Sequence, residues 1–180
     1  MNAVILGVDP GHDGGAVLLR ADGSALAWRW FDRRNRKKAA GYDLRSDRGE
    51  EQRGLSLYDV GRALALAAGG TGYRAGVEGL YAGRNGATAI ELAEATGRLL
   101  AGLEPGASAI LRPPWTTWAR AVVRGSATTA ALNAARPAWL AGRGITLAGL
   151  SDDDHVLDAA CIAGWTAIQS AHEDLIGRTP

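Results

Sequence analysis

Four side chains able to bind a metal ion lie where secondary-structure elements are expected to begin or end. Asp9 and Glu78 each close a short apolar segment, and His155 and Asp158 stand three residues apart near the start of a long apolar stretch. Carboxylate oxygens suit Mg²⁺ or Mn²⁺, and a histidine nitrogen shifts the preference slightly toward Mn²⁺. Two such cations activate water for the displacement at a phosphate ester. The residues therefore predict a metal-dependent enzyme acting on phosphate esters.

Each of these residues also has an ordinary structural explanation. Asp9 precedes a Pro-Gly pair and could simply form a turn, and Glu78 could be a surface acid at the end of a strand. Asp152–Asp154 suit the N-cap of a helix as well as they suit chemistry, and His155 could be a surface histidine. Asp158 is different, because its neighbours are apolar and a buried carboxylate is costly unless it is paired or metal-bound.

Length and composition predict one cytoplasmic domain spanning residues 1–180. The chain has a net charge of +1 and a single cysteine, Cys161, which excludes an internal disulfide and fits a reducing compartment as a buried thiol. No apolar run reaches about 18 residues, so we expect no membrane span. The amino terminus has no basic region before its apolar segment, so no signal peptide is expected.

The elements that must position the four residues can be predicted from the spacing of apolar and turn-forming residues. Strands are predicted at residues 3–9, 16–20, 25–30, 73–78 and 107–111, and helices at about 56–68, 86–103, 126–141 and 153–173. Ser126 is the expected cap of the third helix, which should be helical up to the Arg136-Pro137 step. This order indicates an α/β domain with a five-stranded mixed sheet flanked by helices, antiparallel in its first three strands and parallel in its last two. The strands that end in Asp9 and Glu78 then lie side by side, which places both carboxylates at one edge.

The polar segment between residues 32 and 54 is predicted to be a long loop inserted into the domain. Its first half is basic, with Arg33, Arg34 and Arg36–Lys38 coming after the aromatic residues Trp28, Trp30 and Phe31. Such a loop could bind phosphates and stack on bases. It could equally be a solvated loop, since four acidic residues come next and dilute its charge.

Three segments, at Ile5–Gly11, Val77–Asn85 and Asp154–Ala163, resemble in sequence and order the motifs of the RuvC family of Holliday-junction resolvases. This family belongs to the RNase H-like, or retroviral-integrase, superfamily, so the resemblance implies the RNase H-like fold. It covers most of the chain.

The resemblance also implies the catalytic site. Asp9, Glu78, His155 and Asp158 match the four metal-binding positions of the family, whose sites hold two Mg²⁺ or Mn²⁺ ions. The third position is aspartate in many members and histidine in some. Whether Asp154 takes the place of His155 as a ligand is left open by the sequence.

The second motif contributes the first expected DNA contacts. Tyr81 matches an aromatic position that the family uses against a base near the junction centre, with a core or rim tyrosine as the alternative. Arg84 and Asn85 are implied to face the phosphate backbone, although the start of a solvated helix is nearly as good an explanation.

A basic segment before the third predicted helix resembles the family's basic loop and supplies Arg120 and Arg124 as further DNA-binding residues. The chain departs from the family pattern here, because Thr128 and Thr129 stand where a lysine is expected near the site. Arg120, Arg124 and Arg112 are the candidates for the missing positive charge.

The resemblance implies a homodimer that binds four-way DNA and cuts it by paired symmetric nicks, each leaving a 5′-phosphate and a 3′-hydroxyl. The helix after Glu78 commonly forms the dimer contact in the family. Ile90, Leu92, Leu99 and Leu100 could serve there, but an internal core helix explains them equally well.

Three other functions compete with junction resolution. The nearest is a phage-type nuclease with a broader preference for branched or flapped DNA. A second is an ATPase of the actin-like or sugar-kinase group, whose first strand also ends in Asp-x-Gly; the turn at residues 69–72 is a poor substitute for its second nucleotide-binding half. The third is a junction-binding module without activity, which the retained acids argue against.

Overall fold

One seven-stranded mixed sheet forms the centre of the molecule, in a computed structural model that describes residues 4–33, 41–79, 86–123 and 127–176. Its spatial order is β5-β4-β3-β2-β1-β6-β7. The strands are β1 (Ile5–Asp9), β2 (Gly14–Leu19), β3 (Ala25–Asp32), β4 (Tyr42–Ser46), β5 (Glu51–Leu55), β6 (Tyr73–Val77) and β7 (Ala107–Leu111).

Five helices within the described residues cover the two faces of the sheet. They are α1 (Leu57–Ala67), α2 (Gly86–Leu103), α3 (Trp115–Val122), α4 (Thr129–Ala141) and α5 (Asp154–Ile176). The first two pack on one face, in a core that includes Leu6, Val8 and Trp30. The other three pack on the opposite face, in a core that includes Ile5 and Val17. Successive β1 residues therefore alternate between two separate cores, as the pleat of a strand requires.

The predicted strand directions are confirmed, but the prediction of five strands is wrong. The first three strands pair antiparallel, β1 pairs parallel with β6, and β6 pairs parallel with β7. The two additional strands, β4 and β5, form a hairpin inside the segment that was predicted to be a loop.

The hairpin escaped prediction because its second strand contacts the core only at its last residue, Leu55. In β4 the alternate residues Leu44 and Ser46 are buried, with the exposed Arg45 between them. The first four residues of β5 are all exposed, so this edge strand lacks the apolar alternation on which the prediction relied. Backbone pairing with β4 holds it in place instead.

The second half of the chain differs from the prediction in two helices. Helix α3 begins directly after Pro113-Pro114, a pair that ends β7 and then serves as the entry to a helix. Helix α4 begins at Thr129, capped by the Thr128 side chain rather than by Ser126, and continues through Pro137, where it was expected to stop. Buried Trp139 and Leu140 come after that proline, so their packing outweighs the one backbone hydrogen bond that it removes.

Helix α5 lies unusually close to the sheet because glycines stand beneath it. A Cβ added at Gly7 would lie 2.1 Å from the Ala159 carbonyl oxygen, and one added at Gly15 would lie 2.5 Å from the His155 carbonyl oxygen. Both distances are far below van der Waals contact, so any side chain there would push the helix away. The same helix carries two of the four predicted site residues, so these glycines set the depth at which the site forms.

A search of the described residues finds no helix with the length and apolar character needed to cross a membrane.

Candidate active site

Asp9 and Glu78 are neighbours because the parallel strands that carry them end together. In the β1–β6 register Val8 pairs with Val77, and the Glu78 backbone N–H donates to the Val8 carbonyl at 3.0 Å. Asp9 shares the face of β1 with Gly7, over which α5 passes. By the same alternation, Glu78 shares the α5 face of β6 with Gly76, whose added Cβ would meet Thr166 of that helix. Both acids therefore lie on the face covered by α5.

The first turn of α5 brings His155 beside Asp9. Asp153 caps the helix, since its Oδ1 accepts from the backbone N–H groups of His155 at 3.0 Å and Val156 at 3.2 Å. This turn lies on Gly15, the residue that pairs with Asp9 across β1 and β2. His155 Nδ1 is 2.6 Å from Asp9 Oδ2, so the tautomer that satisfies the contact donates from Nδ1.

Asp154 points elsewhere. Its side chain is 73% exposed, and its Oδ1 accepts from Arg136 at 2.5 Å. The structure thus places His155, and not Asp154, beside Asp9.

The other acids of the group lie close enough to affect the pKa of Glu78. The pKa is raised to about 8, first by burial and then by the negative charges of Asp9 and Asp158. The buried indole N–H of Trp118 favours the ionised form slightly, although among the described residues it has no partner within hydrogen-bonding geometry. Charge crowding of this kind disfavours the ionised acid and attracts a cation.

The pKa values of Asp158 and His155 are also raised, but by different main causes. Burial raises the pKa of Asp158 to about 6, with Asp9 adding to the rise, while Arg136 lowers it. The hydrogen bond to Asp9 is the main cause of a raised pKa at His155. All four predicted residues therefore interact electrostatically at one edge of the sheet.

The chemistry of this group of donors fits a divalent cation. Carboxylates dominate it, as Mg²⁺ and Mn²⁺ require, and one imidazole completes it. As the side chains stand, the described part of the chain contains no cluster of three histidine, cysteine, aspartate or glutamate side chains at metal-binding separation. Asp158 is hydrogen-bonded to Arg136 and His155 to Asp9.

Sequence reasoning missed Arg136, which contacts the site through the first turn of α5. Its side chain is 2% exposed, and its Nη1 donates to Asp158 Oδ1 at 2.6 Å. A signal was available, because a lone arginine among the apolar residues of α4 needs a buried acceptor just as Asp158 needs a partner.

Asp13, which had no role in the sequence prediction, helps to fix the loop that comes after Asp9. Its Oδ1 accepts from the Asp32 backbone N–H at 2.8 Å. The Trp30 indole donates to the Gly11 carbonyl at 3.1 Å in the same loop. The turn beside the candidate site is therefore tied to β3 at two points.

Few of the predicted DNA contacts can be placed. Arg120 is exposed on α3, and Arg112 is exposed after β7. Tyr81, Arg84, Asn85 and Arg124 lie outside the described residues.

Part of the basic segment can also be located. Trp30 is completely buried in the core, so the suggestion that it stacks on bases is wrong. Arg33 forms an ion pair with Asp43 at 3.3 Å, and residues 34–40 lie outside the described ranges.

Comparison with known proteins identifies the fold. One match is a structure of Thermus thermophilus RuvC in complex with a Holliday junction substrate, with a TM-score of 0.53 at 16% identity, covering 94% of this chain and 96% of that one. A second structure of T. thermophilus RuvC matches with a TM-score of 0.55 at 17% identity over the same shares. No protein-family model and no curated protein matches the sequence. The chain has the RuvC fold, which confirms at that level the resemblance drawn from its three motifs.

Proposed function

We propose that this protein is a metal-dependent endonuclease that resolves four-way DNA junctions by paired symmetric nicks. The observation that carries the proposal is the grouping of Asp9, Glu78, His155 and Asp158 on one face and one edge of the sheet, where burial and then the charges of two neighbouring acids raise the pKa of Glu78. The RuvC fold supports the same function, because one of the matching structures was determined with a Holliday junction substrate.

Asp9, Glu78, His155 and Asp158 would hold two Mg²⁺ or Mn²⁺ ions. When bound, such ions activate water and stabilise the leaving oxygen of a phosphodiester. Asp9 is the central ligand, since it lies between Glu78 on the adjacent strand and His155 on α5. The rigid pair of strands β1 and β6 positions Asp9 and Glu78, and α5 positions His155 and Asp158.

His155 has a second potential role, in proton transfer. Asp9 accepts the hydrogen on Nδ1 and fixes the plane of the imidazole. The other ring nitrogen, Nε2, can then carry or release a proton near the scissile bond.

The proposed assembly is a homodimer, because paired nicks on a symmetric junction need two sites. Ile90 of α2 is 64% exposed and suits a contact between subunits, whereas Leu99 and Leu100 belong to the core. Tyr81, Arg84, Asn85, Arg120 and Arg124 are proposed to contact the DNA.

A junction-cleavage assay tests the proposal. The purified protein is incubated with a labelled immobile four-way junction and either Mg²⁺ or Mn²⁺, beside an Asp9→Asn control. We expect symmetric nicks that depend on the cation and disappear in the control. Equal nicking by Asp9→Asn and wild type would reject the site.

The same assay separates the nearest alternative, a nuclease with a broader preference. Rates on the junction are compared with rates on a Y-fork, a flap and linear duplex of the same sequence. A preference of at least about tenfold for the junction supports resolution, while similar rates on forks or flaps support the broader enzyme.

The ATPase alternative has little structural support. The glycine turn at residues 69–72 precedes β6, whereas Glu78 comes after it, so the turn and the acids lie at opposite ends of the strand. Thermal stabilisation by Mg-ATP would revive this alternative.

A further inference from the structure

Arg136 holds Asp158 by one oxygen and is itself fixed on several sides. Nη1 donates to Asp158 Oδ1 at 2.6 Å and to the Asp154 carbonyl at 3.1 Å. Nη2 donates to Asp154 Oδ1 at 2.5 Å and to Asn133 Oδ1 at 2.8 Å. Because α4 supplies Asn133 and α5 supplies the two aspartates, the guanidinium plane is fixed between the two helices.

This arrangement leaves Asp158 with unequal oxygens. Oδ1 is occupied by a strong charge-assisted hydrogen bond, and Oδ2 is the oxygen that remains for a cation. A carboxylate on a free side chain would have to give up rotational freedom on binding an ion, whereas this one is already oriented.

We propose that Arg136 is a positioning residue for metal binding, which holds the Asp158 carboxylate in one orientation for a divalent cation. The proposal rests on the function proposed above, because it concerns one of the ligands assigned there. It also supplies a cation close to the site in a chain that has Thr128 and Thr129 where the family resemblance implies a lysine.

A matched control exists on the other side of the same helix turn. Arg29 is also buried, with its side chain 7% exposed, and its Nε donates to Asp153 Oδ2 at 2.8 Å. Its charge reaches the site, since it lowers the pKa of His155, but among the interactions found in the described residues it has no contact with Asp158. Removing Arg29 therefore deletes a buried positive charge near the site and leaves the orientation of Asp158 intact.

The test measures Mn²⁺ affinity without DNA, from the electron paramagnetic resonance signal of free Mn²⁺. Wild type is compared with Arg136→Met, Arg136→Lys, Arg29→Met and Asp158→Asn, and the melting temperature of each is recorded. Loss of an outer partner of a ligand weakens metal binding by about 10- to 100-fold. We expect a weakening of at least about tenfold for Arg136→Met and less than about twofold for Arg29→Met, although both proteins melt several degrees lower.

Arg136→Lys is expected to bind Mn²⁺ with intermediate affinity, because lysine keeps the charge but cannot make the forked contact. Affinity equal to or tighter than wild type in Arg136→Met would overturn the proposal, since the guanidinium would then only repel the ion. If Arg136→Met does not fold, Arg136→Lys decides, and wild-type affinity in that variant overturns the proposal.

A failure of the proposed function gives a different pattern. In that case wild type does not bind Mn²⁺, or Asp158→Asn binds it as tightly as wild type does. Loss of binding in Asp158→Asn together with unchanged binding in Arg136→Met counts against the positioning role alone.

Discussion

Two buried arginines form ion pairs with aspartates at the start of α5, but the two ion pairs have different roles. Arg29 reaches from β3 to Asp153, the residue that caps the helix, and also donates to the carbonyls of Gly14 and Trp30. Arg136 reaches from α4 to Asp154 and Asp158. The first joins a helix end to the sheet, whereas the second contacts a candidate ligand. The role of each buried ion pair thus depends on the other contacts that its aspartate makes.

The largest expected difference is between the two acids. Asp158→Asn should slow junction nicking by roughly a thousandfold, because a lost metal ligand removes several kcal/mol of transition-state stabilisation. Asp153→Ala should leave the rate per folded molecule within about threefold. It should instead cost about 3 kcal/mol or more of stability, because it removes the helix cap and leaves buried Arg29 without its carboxylate. Nicking rates normalised to the folded fraction measure both. Equal losses of nicking rate in the two variants would mean that Asp158 has no role in the reaction beyond the structural role of Asp153.

Removing either arginine should destabilise the protein by a similar amount. Arg29→Met and Arg136→Met each leave a buried or partly buried carboxylate without its partner, which costs about 3 kcal/mol. Urea unfolding of both variants gives the two free energies. A loss under about 1 kcal/mol in either variant would show that its ion pair is solvated. The two arginines would then not contribute equally to the free energy of unfolding.

The pH dependence of the free energy of unfolding should report on the ionisation of Glu78 when no metal is bound. The pKa of Glu78 is raised to about 8 in the folded protein, so between about pH 4.5 and 8 the folded state holds more protons than the unfolded state. Stability must therefore fall as pH rises through this window, by an amount of the order of 2 kcal/mol for a partly solvated group. The raised pKa values of Asp158 and His155 act in the same direction.

Melting temperatures between pH 5 and 8 measure this slope. Glu78→Gln should flatten it, because glutamine has no proton to lose, and saturating Mn²⁺ should also flatten it by favouring the ionised acids. An unchanged slope in Glu78→Gln would place the titrating group elsewhere.

The smallest effect is expected at Arg143, an exposed arginine just beyond the end of α4. It stacks 3.7 Å above the Trp139 ring and donates to the Trp139 carbonyl. Arg143→Gln should cost less than about 1 kcal/mol and leave Mn²⁺ affinity unchanged. A larger change in affinity would mean that net charge on this side of the molecule, and not the contact with Asp158, controls metal binding.

The positions of the candidate acids could be predicted from the sequence, because a residue at the end of a strand has little freedom in where it lies. Asp9 and Glu78 each close an apolar segment, and the parallel pairing of those segments brings the two residues together. Asp158 stood out because an acid among apolar residues needs a partner. For these three residues, the local sequence pattern is enough to indicate where the side chain lies in the folded protein.

The features that escaped prediction depend on contacts between residues far apart in the chain. Arg136 and Asp158 are 22 positions apart, and nothing local identifies them as partners. Strand β5 is exposed and polar, so its assignment depends on β4. Helix α3 begins at a proline pair, which marks the end of a strand without indicating that a helix begins there.

The glycines beneath α5 have a consequence for mutational tolerance. Because the backbone of the helix rests on the backbone of the sheet at Gly7 and Gly15, the position of His155 depends on these two close contacts as well as on the Asp153 cap. A saturation library should therefore accept almost nothing at these two positions and should accept varied residues at exposed positions of the same helix, such as Ile168. An engineer could redesign the outer surface of α5 without disturbing the geometry of the candidate site.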